Sequence, residues 1–413
     1  MVEKSGKFQP LSFWNRQNKN WRVVVTRMLF NRFFDNMTLQ YSDIYVRTLG
    51  ADPVQVGLVN SAGGIGSGIM SIPIGWLQDR YSLKKIFIFG LSLFALSSLL
   101  YASASSWLII APAIFLTNFA TRVGGCMTIC DICLKNEDRA TGKALCEGAG
   151  SIPSLLAPTI AALILVYFGG VGVTGISSLY WIQFVARVIL LVFTAKRMTE
   201  IIRLSPTNGG RALGFLKDMR EVFTRGVATK RWIVFSSLGQ FVIYWATPFR
   251  YVFAHEIKKA DQFVIGYMAT AKVLGIVLFS IPLGRISDSA GRKKVFYFTV
   301  PLFCLSYILL VLAPTFEFLV IASLLEAFEQ ISLYVVSGSM GPELVPIDCV
   351  GRWRGILGLF TSVAMTVAPV AAGLVWNTIG PFYVFLIPIA ISLLIRVPVL
   401  ITIPETLKRA GSP

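Results

Sequence analysis

Apolar residues gather in about twelve long blocks, near 22–47, 54–77, 84–105, 107–133, 141–168, 175–196, 231–256, 262–285, 293–313, 316–341, 354–377 and 380–403. Each can cross a bilayer, since a helix needs roughly 20 apolar residues to span ~30 Å of hydrocarbon. Backbone polar groups find no water in that region, so each block must close its hydrogen bonds internally, as a helix. The pattern predicts an all-α membrane protein with twelve transmembrane helices. Polar residues fall in short connections, apart from one longer basic segment at 197–230.

At the edge of the second block stands SIPIGWLQDRYSLKKIF (71–87), and nearly the same stretch, SIPLGRISDSAGRKKVF, returns at 280–296, an offset of 209. Arg187 and Arg396 keep that offset, and LLAPTIAAL (155–163) aligns with TVAPVAAGL (366–374) at 211. Internal repeats of this kind build transporters from two related bundles with the substrate site between them. The expected organisation is an N-terminal six-helix bundle at 1–196, a cytoplasmic linker at 197–230 and a pseudo-symmetric C-terminal six-helix bundle at 231–413. Within the linker, Leu213, Leu216 and Phe223 fall at helical spacing beside Lys217 and Arg225. That spacing suits either a short amphipathic surface helix or a solvated linker.

Charge orients the bundles. Of the 38 Lys and Arg residues, 28 lie on the two termini and every second loop, whereas the opposite loops hold Arg47, Lys258 and Lys259. By the positive-inside rule both termini are cytoplasmic, which agrees with an even number of spans. The formal net charge of +17 then reflects membrane orientation, and a nucleic-acid partner is not expected. Only 14% of residues are charged, against about a quarter in soluble domains. Met1 to Asn20 is polar and basic, so no cleavable signal peptide is read there. The expected location is the cell (plasma or inner) membrane, and the expected state is a monomer.

GWLQDRYSLKK and GRISDSAGRKK resemble the signature loop of the major facilitator superfamily, G-x-x-x-D-R-x-G-R-[RK], between spans 2–3 and 8–9. ICDICLKNEDRATGKALCEG (129–148), GPELVPIDCVGRWRGILGL (341–359) and the closing IPETLKR are also similar to that family. The resemblance implies a twelve-helix transporter that rocks two bundles about a central cavity. It also implies that Gly75 and Gly284 let helix ends approach, and that Asp79, Arg80 and Asp288 take part in contacts joining the halves in one state only. The first copy has Ser82 and Leu83 where the family has Gly and Arg; the second keeps Gly291 and Arg292. The ion-pair relay is therefore expected around Asp288, Arg292 and Glu343, with Asp131 and Arg139 as candidate partners of the first copy.

Ionisable residues within the hydrocarbon are costly and mark function. Span 1 carries Arg27, Asn31, Arg32, Asp35 and Asn36, of which Arg27, Asn31, Asp35 and Thr38 share one helical face. Span 4 offers Arg122 at similar depth. An acid in span 1 with an arginine in span 4 resembles the family's proton-coupled drug exporters, so Asp35 is the expected coupling acid. The alternative is a structural pair between Asp35 and Arg32 or Arg122. In span 10, Glu326 and Glu329 are neighbours on one face, with Lys272 of span 8 able to neutralise one of them. Arg187 and Arg396 read as snorkelling or packing residues. Tyr244, Trp245 and Phe249 suit either a cavity wall or a lipid-facing surface.

Cys126, Cys130 and Cys133 share the Arg122 face; helix packing is the simpler account, and no metal site is expected. GGIGSG (63–68) lies inside span 2, with no strand before it, and fits close helix packing rather than a phosphate loop. No enzyme motif and no cofactor site is read, so transport must run on an ion gradient or on the substrate's own. The expected partners are a small-molecule substrate, protons or another coupling ion, and the bilayer. The expected function is proton-coupled efflux of amphiphilic compounds, the alternative being a symporter or uniporter for a sugar or other metabolite.

Overall fold

The computed structural model describes residues 10–71, 73–74, 77, 81–124, 129–130, 133–134, 138, 142, 145–146, 151–200, 228–333, 340–341, 344 and 350–406. Gly75, Asp79, Arg80, Cys126, Asp131, Arg139 and Glu343 lie outside the described residues, as does 201–227 of the linker.

Among the described residues every regular element is helical. A short α1 (Pro10–Arg16) precedes a first span made of α2 (Lys19–Thr38), a 3-10 turn (Leu39–Tyr41) and α3 (Ser42–Thr48). Next come α4 (Pro53–Ser71), α5 (Leu83–Ala102), α6 (Trp107–Val123), α7 (Ser151–Tyr167) and α8 (Val173–Arg197). The second series is α9 (Thr229–Glu256), α10 (Gln262–Ala290), α11 (Arg292–Leu312), α12 (Phe316–Ser332) and α13 (Val350–Thr378). It ends with α14 (Tyr383–Ile391), a π turn (Ser392–Arg396) and α15 (Val397–Ile401), which form one span. Six of the twelve crossings are apolar enough to span a membrane by length and composition alone. The first carries Arg27 and Asp35, the seventh Arg250 and the tenth Glu326, groups that need protein partners rather than lipid.

The repeat read from the sequence recurs in the packing. In the first series α2 packs on α7 and α8, α5 on α6 and α8, and α4 on α6. In the second, α9 packs on α13 and α14, α11 on α12 and α14, and α10 on α12. Each of these contacts in one bundle has its mate in the other. Individual bonds repeat as well. Ser97 Oγ donates to the Ala113 carbonyl at 2.8 Å, and Ser306 Oγ to the Ala322 carbonyl at 2.7 Å. Asp52 caps α4 by accepting from Gln55 N, and Asp261 caps α10 by accepting from Val264 N, both at 2.8 Å. All four correspondences carry the same offset as the repeated loop.

The bundles meet along two seams, α4 with α13 and α7 with α10. In α4, GGIGSG serves two neighbours at once: Gly63 and Gly66 face Asn118 and Phe115 of α6, while Gly64 and Gly68 face Thr366 and Ser362 of α13. The seam tightens away from the termini. There a Cβ on Gly57 would collide with the Pro369 carbonyl, and one on Gly373 with the Pro53 carbonyl. At the end bearing the termini, a Cβ on Gly68 would meet Ser362 at 3.3 Å and one on Gly358 would meet Ser71 at 3.8 Å. The second seam behaves alike: Gly266 abuts the Pro158 carbonyl, whereas a Cβ on Gly284 would meet nothing within 4 Å among the described residues.

Candidate functional site

Three connected hollows lie between and within the bundles. The central one, about 430 Å³, is bordered by both halves. Its wall is rich in amides, from Asn36, Gln40, Asn60, Asn118 and Gln330, and in hydroxyls, including Ser42, Tyr101, Thr117 and Tyr251. Two cations line it from opposite bundles, Arg32 of α2 and Lys272 of α10, together with one acid, Asp43 of α3. Through Arg32, Ser42, Tyr101 and Thr117 it adjoins a recess of about 410 Å³ inside the N-terminal bundle. Through Thr247, Lys272 and Gln330 it adjoins a recess of about 280 Å³ inside the C-terminal bundle.

The N-terminal recess is organised around Asp35. Arg187 Nη2 bonds Asp35 Oδ1 at 2.7 Å, and Gln183 Nε2 donates to the same oxygen at 3.1 Å. Asn31 Nδ2 donates to Asp35 Oδ2 at 2.6 Å. The other arm of Arg187 donates to the Phe94 carbonyl and to Ser98 Oγ, at 2.8 and 2.6 Å. Asp35 is thus clamped across three helices, by a fork that suits a planar guanidinium. The partner foreseen for it in span 4, Arg122, instead donates Nε to Ser67 Oγ at 2.8 Å. For Arg187, read as snorkelling or packing, the structure selects packing. The side chain is buried and faces the bundle, because α8 turns it toward an acid that no lipid could replace.

In the C-terminal recess Glu326 lies between two cations. Lys272 Nζ bonds its Oε1 at 2.9 Å, and Arg250 pairs with its Oε2. Arg250 is buried, with its guanidinium 5.1 Å above the Tyr307 ring, and Tyr307 Oη donates to Glu329 Oε2 at 3.0 Å. Arg396, repeat mate of Arg187, is also buried rather than snorkelling. The π turn places its guanidinium 5.2 Å from both Phe235 and Phe296, against Gly239, where a Cβ would meet Nη2 at 2.6 Å. Trp245 and Phe249 do not wall the hollow. Trp245 Nε1 donates to the Val384 carbonyl, and Phe249 stacks near Trp376 inside the bundle. Of the three aromatics in that run, Tyr244 borders the recess. His255 makes a local bond to the Ala260 carbonyl.

The hollow is shut at the end away from the termini. Arg47 Nε and Nη2 grip Glu256 Oε1 and Oε2 at 2.7 and 3.0 Å, joining α3 to α9. Tyr41 Oη donates to the Gln262 carbonyl at 3.0 Å, joining the first span to α10. At the other end, Asp288 is exposed and makes no ion pair among the described residues. Gly291, at φ +116°, opens α11, and the Lys293 backbone N–H there donates to Glu405 Oε2 at 3.1 Å. Arg292 is buried beside it. In the first repeat Ser82 replaces that glycine and caps α5, bonded also to Glu200. Cys130 packs among Trp21, Phe87 and Leu134, in line with a structural thiol.

Residues 28–259 and 251–413 match the family model of the Major Facilitator Superfamily. The chain belongs to that superfamily. It is a transporter, not an enzyme. It is 20% identical to the probable galactarate/D-glucarate transporter GudP of Escherichia coli (strain K12), over 95% of both chains. It is 30% identical to the uncharacterized MFS-type transporter YfiU of Bacillus subtilis (strain 168), over 31% of this chain and 25% of that one. A 28% match to the transporter BU466 of Buchnera aphidicola covers 38% of this chain and 40% of that protein, so these two relatives are matched over less than half their length. Among solved structures the transporter resembles the nucleoside transporter NupG, with TM-score 0.73, 17% identity and coverage of 92% and 98%. It also resembles a POT family transporter in complex with 5-aminolevulinic acid, with TM-score 0.75, 13% identity and coverage of 93% and 96%. At these identities the structural likeness bears on the fold alone.

Proposed function

We propose that the transporter carries a small, hydroxyl-rich organic anion by alternating access, coupled to protons, through the cell membrane with both termini cytoplasmic. The observation that carries this reading is the central hollow, whose amides and hydroxyls flank Arg32 and Lys272. Four of these amides already donate within the protein, from Asn36, Gln40, Asn60 and Asn118, yet the wall as a whole stays polar, so an occupant with several hydroxyls matches it better than an apolar one. One cation from each bundle lets a single anion draw both halves onto itself, which ties binding to rocking. A drug-like amphiphile fits less well, because Trp245 and Phe249 are committed to the bundle interior. Galactarate and glucarate, named for the relative GudP, are likewise small and polar. Proton coupling is supported by the four acids that border the hollows, Asp35, Asp43, Glu326 and Glu329.

Thermal-shift measurements on purified protein with sugar acids, nucleosides and lipophilic cations test the cargo. Sugar acids are expected to stabilise the wild type and to lose that effect in Lys272→Gln. Stabilisation by lipophilic cations alone would overturn the reading.

A further inference from the structure

Of the four acids around the hollows, three have arginines close by. Asp35 has Arg187, Glu326 has Arg250 and Lys272, and Glu329 has the Tyr307 hydroxyl with Arg250 and Arg396 within electrostatic reach. Asp43 differs. Among the described residues its partner is an amide, Asn60 Nδ2 donating to Oδ1 at 2.7 Å, and no cation of that set lies within ion-pair distance. The groups around it are largely phenols and bound charges. Tyr101 of α5, bonded to Ser42 Oγ at 3.2 Å, and Tyr180 of α8, stacked on Tyr101, face it from the N-terminal bundle. From α9 come Tyr251 and Glu256, the latter taken up by Arg47, and Arg32 and Lys272 share its cavity. Asn60 is the titration-silent contribution of α4, Thr117 and Asn118 those of α6.

The 3-10 turn at Leu39–Tyr41 gives this acid its place. It offsets α3 from α2, so that Asp43 borders the central cavity while Arg47, one turn on, reaches across to Glu256. Tyr41, two residues before Asp43, holds the Gln262 carbonyl. The carboxyl is therefore built into the short helix that shuts the far end, half-buried and bordering the central cavity.

We infer that Asp43 is the proton-binding carboxyl of the transport cycle, neutral when the Arg47–Glu256 end is shut and ionised when that end admits water. A charge with no counter-ion is tolerated poorly where water is scarce, so closing the far end favours the protonated form. Opening hydrates the group and releases the proton to the bulk. The inference rests on the proton-coupled reading above.

The test uses full-length protein in proteoliposomes, with a sugar acid that passes the thermal-shift screen. Wild type is expected to accumulate solute under an imposed pH gradient. Asp43→Asn is expected to lose that accumulation while keeping the wild-type melting temperature, which reports that it is folded. Asp43→Glu, which keeps a titrating group, is expected to keep accumulation with a displaced pH dependence. Gradient-driven accumulation by Asp43→Asn equal to wild type would overturn the assignment to Asp43 alone. A wild type indifferent to the gradient would overturn proton coupling and Asp43 with it, leaving the cargo to the thermal-shift result.

Discussion

Glu326 has side-chain exposure of 6% and Arg250 of 3%, so neither is solvated by bulk water and each depends on the other. Removing one member of a buried pair leaves an uncompensated charge, at a cost of about 3–5 kcal/mol. Glu326→Gln is therefore expected to lower the thermal stability of the purified protein markedly. Lys272→Gln should lower it less, because Lys272 is 26% exposed and its loss still leaves Glu326 with Arg250. Comparing the two melting temperatures checks the ranking. Much of this chemistry was present in the sequence only as residue types. Glu326, Glu329 and Lys272 stand out as charges inside apolar blocks, and so does Asp35. Their partners do not: Arg187 lies 152 positions from Asp35, on a helix whose arginine has an equally good reading as a snorkelling group. The repeat offered a clue, since 209 maps Ser98, which holds Arg187, onto Tyr307, which borders Arg250 and Glu329. Asp43 carried less signal still, because an acid near the end of an apolar block reads as an interfacial residue until the 3-10 turn is seen.

Helices α4 and α13 approach so closely that glycine is required where Gly57 meets Pro369 and where Gly373 meets Pro53. A side chain at either position would wedge the far end apart, whereas one at Gly358, which faces Ser71 only at 3.8 Å, finds room. Gly57→Leu is expected to hold the far end open and to block transport, while Gly358→Ala leaves the equilibrium near wild type. Reactivity of a single cysteine placed on the far-end surface toward an impermeant maleimide checks this, rising in the first variant and unchanged in the second. That GGIGSG packs helices rather than phosphate was legible, because a run of small residues inside an apolar block has little other use. Which helices it packs was not. The division of labour between Gly63 with Gly66 and Gly64 with Gly68 depends on α4 standing between α6 and α13, a relation between elements far apart in the chain.

The two-bundle plan was the most legible property of the whole molecule, since a repeat at one fixed offset constrains every helix at once. What the repeat does not encode is the position of the bundles relative to each other. The seam contacts place this structure with its far end shut, and Arg47–Glu256 is the charged part of that closure. A partly exposed bidentate pair is worth about 1 kcal/mol, which changes a two-state population roughly fivefold. Glu256→Gln is expected to raise far-end labelling by that order, without loss of fold. The double variant Arg47→Glu, Glu256→Arg should bring labelling back toward wild type, and failure to do so would mean that Arg47 acts mainly through its second bond, to the Ala51 carbonyl.

Residues 47 and 256 are themselves 209 apart. Each is the other's counterpart, so the clasp sits where the molecule's internal dyad emerges. A dyad permits only self-facing positions to touch there, and two identical side chains would repel or merely abut. Opposite signs at matched sites could arise only after the ancestral halves had begun to differ. This lock therefore dates itself to the period when one ancestral copy had already become two distinct ones.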